Sequence, residues 1–134
     1  MKDKQKVLVA EFESIDAAYL RSMLERNGWE SDLASNQMEV LHKLRERKYS
    51  LVLVNSNQSK VTGIETTRKI KALEREIKRR IPVVGIASHT LEAEKRSILK
   101  AGADYCLTKP VYKNVLLETF KNVFGSSTLT SVAS

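Results

Sequence analysis

Five short strand-like segments punctuate this chain at intervals too wide for tight hairpins: the apolar runs Lys6 to Glu11 (KVLVAE), Leu51 to Asn55 (LVLVN) and Ile81 to Ile86 (IPVVGI), and the shorter segments Glu30 to Ala34 and Asp104 to Leu107. Runs that are apolar throughout read as strands buried on both faces. A strand that returns parallel to its predecessor needs a long crossover, usually a helix, and that crossover is nearly always right-handed. Strands alternating with helices through 134 residues therefore predict one α/β domain, a parallel sheet with helices on both faces. Pro82 is compatible with the Ile81 to Ile86 run only near the strand start.

The intervening segments carry helical spacing and helix punctuation. Ser14 is the expected cap of the first helix, with Asp16 in its first turn and Ile15, Tyr19 or Leu20, Met23 and Leu24 on its inner face. Asn27-Gly28 stops it. Ser35 or Asn36 caps the second, with Met38, Leu41 and Leu44 inward. Gly63 opens a long charged helix through about Arg79, and Thr90 caps a fourth that ends at Gly102. Pro110 begins the last turn, followed by a face of Val111, Val115, Leu116, Phe120 and Val123. The folded domain is expected to span residues 1–124. The small polar segment from Gly125, residues 125–134, is expected to be a disordered tail.

Composition narrows the class. Apolar residues make up 42% and charged residues 29%, a globular balance. No apolar run reaches the roughly 20 residues of a membrane span, so no membrane insertion is expected, and the start lacks the pattern of a secretory signal. One cysteine, Cys106, excludes an internal disulfide and suits a reducing, cytoplasmic setting. In its apolar run the thiol reads as buried and inert. The net charge of +7 is concentrated at Lys43, Arg45, Arg47 and Lys48 and at Arg75, Lys78, Arg79 and Arg80. Near helix ends, such residues read first as a solvated face that complements the helix dipoles. Nucleic-acid binding is disfavoured: aromatics are only 6%, and the third helix also carries Glu65, Glu74 and Glu76.

Parallel α/β sheets place their sites beyond the carboxyl ends of the strands. Here those ends are Glu11-Phe12-Glu13, Asn55-Ser56-Asn57, Ala87-Ser88 and Thr108-Lys109-Pro110. Together with IPVVGIASHT (Ile81 to Thr90) and AGADYCLTKP (Ala101 to Pro110), they resemble the receiver domain of two-component response regulators, most closely receivers attached to hybrid histidine kinases. The resemblance runs from about Lys6 to Phe124. It implies a flavodoxin-like fold with five parallel strands in the order 2-1-3-4-5 and five helices. It also implies a phosphoryl-transfer pocket, with an aspartate at the end of the third strand, an acidic pair after the first, a Ser or Thr after the fourth and a Lys before the Pro.

Carried across by position, those roles fall on a degenerate set. Asn55 stands at the phosphoacceptor place, and a carboxamide is a weak nucleophile that cannot form an acyl phosphate. Glu11 survives from the acidic pair, but Phe12 replaces the metal-facing acid. Ala87 stands where the hydroxyl is needed, and Lys109 is intact. In the loop, Gln58 and Ser59 replace an apolar-proline pair and Thr62 replaces an acid. The pocket charge is expected near zero, against about −2 in the family. Magnesium, which requires anionic oxygen ligands, should not bind, so no metal and no cofactor is expected. Lys109 is expected to pair with Glu11 or Asn55.

These readings predict a non-catalytic pseudo-receiver that works by protein–protein contact in a two-component or phosphorelay pathway. Its partner would be a histidine kinase, a phosphotransfer protein or an effector domain, or a second copy of itself. The expected contact surface is the fourth helix, fifth strand and fifth helix: Ser88, His89, Glu94, Lys95, Tyr105, Lys109 and Tyr112. The rival readings are a receiver with a substitute acid such as Glu11 or Glu13, an engineered or deamidated position 55, and a small-ligand sensor in the same crevice. An altered position 55 leaves Phe12 and Ala87 unexplained. His42 and His89 read as ordinary surface and loop residues, Trp29 as a partly buried anchor, and Tyr105 as an aromatic in one fixed position or facing a partner.

Overall fold

The computed structural model describes residues 5–55, 63–87 and 92–133, with side chains up to Phe124. Ten elements alternate: β1 (Lys6–Ala10), α1 (Ser14–Arg26), β2 (Glu30–Ala34), α2 (Gln37–Glu46), β3 (Leu51–Asn55), α3 (Gly63–Ile77), β4 (Val83–Ala87), α4 (Glu92–Lys100), β5 (Tyr105–Thr108) and α5 (Lys113–Ala133). All strand pairs are parallel, in the order β2-β1-β3-β4-β5. This is the flavodoxin-like arrangement expected from the sequence.

Successive strand residues point to opposite faces, and the core divides accordingly. Val7, Val9, Leu51, Leu53, Val84 and Ile86 face α1 and α5, where Leu20, Leu24, Leu116 and Phe120 cover them. Leu8, Ala10, Val52, Val54 and Val83 face the other way, beneath Val40 and Leu44 of α2, Ile70 and Leu73 of α3 and Ile98 of α4. Trp29, the expected anchor, meets Phe120 edge-on at 4.7 Å and stacks on Phe124 at 5.8 Å.

The helix ends depart from expectation in detail. The residue flanking α1 is Glu13, which makes no side-chain cap. Ser14 already lies in the helix, and the Glu13 N–H is satisfied by the Glu11 carboxylate at 3.1 Å. Asn36 caps α2: its side-chain oxygen accepts from Glu39 N at 2.8 Å, and the Glu39 carboxylate accepts from Ser35 N. Gly28 and Gly102 end α1 and α4 at positive φ. Thr90 lies outside the described residues.

Three residues expected on buried helix faces are exposed: Ile15 by 82%, Met38 by 81% and Val115 by 45%. Ile15 and Met38 each sit two positions before the residue that is buried, Ala17 and Val40. Two steps along an α-helix turn about 200°, so both point outward. At the other end of the chain, the backbone of α5 runs to Ala133. Once a helix is nucleated, each added residue gains a hydrogen bond, and this segment contains no proline to stop it.

Gly85, in the middle of β4, lets α4 approach closely. A Cβ there would lie 2.6 Å from Ile98 Cδ1 and 3.1 Å from both Ile98 Cγ atoms. Ile98 is fully buried and β-branched, with little rotamer freedom. Gly85→Ala should therefore cost about 1–3 kcal/mol through overpacking, measured by urea denaturation. Adding Ile98→Val, which removes the closest atom, should recover part of that loss although alone it destabilises.

Candidate functional site

The parallel sheet brings the carboxyl ends of β1, β3, β4 and β5 to one edge, and the side chains there form a crevice. Glu11 follows β1 and is almost fully buried, with 2% exposure. Asn55, the last residue of β3, is equally buried. Its Nδ2 donates to Glu11 Oε1 at 2.6 Å. Glu13 N donates to the other carboxylate oxygen, so both Glu11 oxygens are held from inside the protein.

Burial raises the Glu11 pKa above its ordinary value of 4.5. The hydrogen bonds from Glu13 and Asn55 and the nearby Lys109 charge oppose that rise, and Asp16 adds to it. A neutral amide thus stabilises the carboxylate by hydrogen bonding without adding charge.

Phe12 is half-buried and packs with the core between the sheet and α2, α3 and α4. Its ring offers no oxygen to a cation. Ala87, the last residue of β4, is 1% exposed, and its carbonyl accepts from Lys109 N at 2.9 Å. The methyl side chain leaves that strand end without a hydroxyl. The structure brings Glu11, Asn55, Ala87 and Lys109 together at the carboxyl ends of the strands.

The partner of Lys109 differs from expectation. Its Nζ donates to Asp16 Oδ2 at 3.2 Å, rather than to Glu11 or Asn55. Asp16 stands in the first turn of α1, which begins just beyond Glu11. In the sequence it stands out only as a first-turn residue of the first helix. Its position three residues after the strand-end loop was the available signal. With Asp16 included, the charged side chains at the crevice sum to one net negative charge among the described residues, not zero. That single excess is spread over a buried, fully bonded carboxylate and a salt-bridged one. It does not assemble the several anionic ligands that magnesium prefers, and no group of three acidic, His or Cys side chains able to hold a metal occurs among the described residues.

The other expected residues fall in several places. Tyr105 and Tyr112 are exposed by 40% and 60%, and Glu94 and Lys95 on α4 are half-exposed. Ser88, His89, Asn57, Gln58, Ser59 and Thr62 lie outside the described residues. His42 is on the surface, 3.4 Å from Glu46. Burial pushes the Cys106 thiol up to about 11, which fits the inert reading. No helix among the described residues is long and apolar enough to cross a membrane.

Comparison with known proteins gives the same fold. Residues 7–121 match the family described as "Response regulator receiver domain". The chain is 27% identical over 119 residues to hybrid signal transduction histidine kinase I of Dictyostelium discoideum, matching 85% of this chain but only 7% of that protein. It is 25% identical to the polar-differentiation response regulator DivK of Brucella anthropi, over 90% of this chain and 97% of that one. Among solved structures it is similar to the receiver domain of Ssk1 from Saccharomyces cerevisiae, co-crystallised with the histidine phosphotransfer signaling protein Ypd1. There the identity is 25% and the TM-score 0.78, covering 88% of this chain and 87% of that one.

Asn55→Asp tests how the crevice is balanced. The new carboxylate cannot donate to Glu11 and repels it, so the variant should lose about 1.5–3 kcal/mol at pH 7. An acid with a raised folded pKa costs stability above that pKa and none below its unfolded value. The loss should therefore shrink as the pH falls towards 4.5, as read by urea denaturation across that range.

Proposed function

The chain belongs to the response regulator receiver domain family, and we propose that within it this domain is a pseudo-receiver, a signalling module that binds protein partners without accepting a phosphoryl group. The observation that carries this reading is the Asn55 amide held 2.6 Å from the buried Glu11 carboxylate. At the end of β3, where the family resemblance implies the phosphoacceptor, the side chain is not a nucleophile and its Nδ2 is committed to a structural bond. Phe12 and Ala87 support the same reading independently, because each removes a different requirement of the chemistry: a metal ligand and a hydroxyl.

A phosphoryl group that does not bind cannot shift the domain between two shapes. The module then presents a single surface, or one that its partner selects. The face formed by α4, β5 and α5 suits that role: Leu99, Tyr105 and Val115 of these elements are exposed, with Glu94 and Lys95 on α4, whereas the exposed Tyr112 lines a depression with Tyr19, Met23 and Asn27 beside α1. Aromatic residues are favoured interface anchors. A histidine kinase, a phosphotransfer protein or an effector domain is the partner class. The Ypd1 complex of the related Ssk1 receiver supports that class. Self-association through this face is the alternative.

The test is chemical. Treated with acetyl phosphate and magnesium, the protein should show no phosphoryl adduct by intact mass, and Asn55→Asp alone should show none. Restoring all three functions, with Phe12→Asp, Asn55→Asp and Ala87→Thr together, should produce an adduct at position 55. An acid-stable or hydroxylamine-sensitive phosphate on the unaltered chain would overturn the reading.

A further inference from the structure

The pole opposite the crevice carries a second candidate site. The two basic concentrations of the sequence, about 30 residues apart, meet there. Lys78 adopts a positive φ of 54° and turns the chain out of α3. Arg79 then reaches across to the end of α2, where its Nη2 donates to the carbonyls of Leu44 at 2.7 Å and Arg47 at 3.3 Å. That strut fixes the loop after α2 beside the loop before β4.

Between the two loops lies a depression of about 380 Å3 lined by Lys48, Tyr49, Ser50, Arg79 and Arg80. It adjoins a second of about 290 Å3, which shares Tyr49, Ser50 and Arg80 and adds Pro82, Val123 and Phe124. One end of the groove is cationic and the other apolar. The floor is held still: the Tyr49 hydroxyl donates to Asp32 at 2.7 Å, and Ser50 bonds to Gln5.

Helix-end compensation accounts for Arg79, whose Nη2 satisfies carbonyls at the end of α2, but not for Lys48 or Arg80. Lys48, Arg79 and Arg80 follow the helices rather than occupying their last turns, and they converge on a concavity. The carboxylates at this pole are already engaged: Asp32 with Arg47, Glu76 with Arg45 and Asp104 with Arg80. Lys48, Lys78 and Arg79 have no carboxylate partner among the described residues. Lys48 and Lys78 are thus available to a partner, and Arg79 and Arg80 offer the N–H groups left by their Nη2 contacts with the α2 carbonyls and with Asp104.

We propose that this groove docks an acidic segment of a protein partner, with carboxylates against Lys48, Arg79 and Arg80 and one hydrophobic side chain in the Pro82–Val123–Phe124 end. Charge complementarity selects the acidic side chains, and the apolar end selects a peptide over a nucleic acid. A phosphate backbone would leave that end unfilled and would run beside Asp32, Glu76 and Asp104, while the two aromatic rings of the lining are already engaged, Tyr49 buried with its hydroxyl on Asp32 and Phe124 stacked on Trp29, rather than free to stack with bases. A membrane surface is too flat to enter a concavity. The site lies at the far pole from Glu11 and Asn55, so it stands whether or not the crevice takes phosphate.

The experiment uses the whole chain, isotope-labelled for NMR, and a short synthetic peptide of Asp and Glu with one central Phe. The peptide should shift the backbone amides of Tyr49, Ser50, Arg80 and Phe124 saturably, and less so as salt is raised. Replacing its Phe by Ala, or altering the protein by Lys48→Glu, should each weaken binding roughly tenfold or more. Lys48→Arg should bind as the parent does. Circular dichroism of the Lys48→Glu variant, whose side chain is exposed and unpaired, should match the parent. The proposal is overturned if these amides do not move at millimolar peptide or if the Phe makes no difference. It is equally overturned if a thymidine oligonucleotide or phosphatidylserine vesicles of matched charge occupy the groove more tightly than the peptide.

Discussion

The central strands β1, β3 and β4 are buried on both faces, and much of the molecule follows from that constraint. Covering two faces of a sheet requires helices on both sides, and the covering helices must run back antiparallel to the strands. Every strand therefore ends at one pole of the domain, and every helix ends at the other. The first pole collects loops that lead from strand to helix, with Glu11, Asn55, Ala87 and Lys109. The second collects the basic ends of α2 and α3. The crevice and the cationic groove are thus two products of one packing problem.

At the crevice, hydrogen bonding replaces charge neutralisation. Two carboxylates and a metal ion would balance by ionic attraction. Here one buried carboxylate is balanced by an amide N–H and a backbone N–H. Neutral donors cost less to desolvate than a cation, and a buried acid with both oxygens bonded is tolerable where an unpaired one is not. Lys109 is left to bridge to Asp16 at the rim, tying the loop after β5 to the start of α1. In this arrangement Glu11, Asn55, Asp16 and Lys109 serve as internal cross-links.

Much of this was legible in the sequence because the signals were strong and local. Continuous apolar runs marked β1, β3 and β4 to within a residue or two, and glycines marked the ends of α1 and α4. The less legible parts depended on direction and distance. Ile15 and Met38 are apolar and near helix starts, but the buried stripe is set by the sheet beneath, which selected Ala17 and Val40 instead. Asp16 reads in the sequence as a first-turn helix residue, and only the fold shows that it faces a lysine 93 residues away. The meeting of the two basic concentrations also needed the structure, because the strut from Arg79 to the α2 carbonyls has no sequence signature.

The chain has a single tryptophan, and its ring lies against Phe120 and Phe124 of α5. Phe124 in turn forms part of the apolar end of the groove. The indole is therefore a built-in optical reporter. Its emission responds to the docking of α5 and to whatever settles beside Phe124, and no other residue contributes an indole signal. Occupancy of that pole can be followed in the unmodified protein, by light alone.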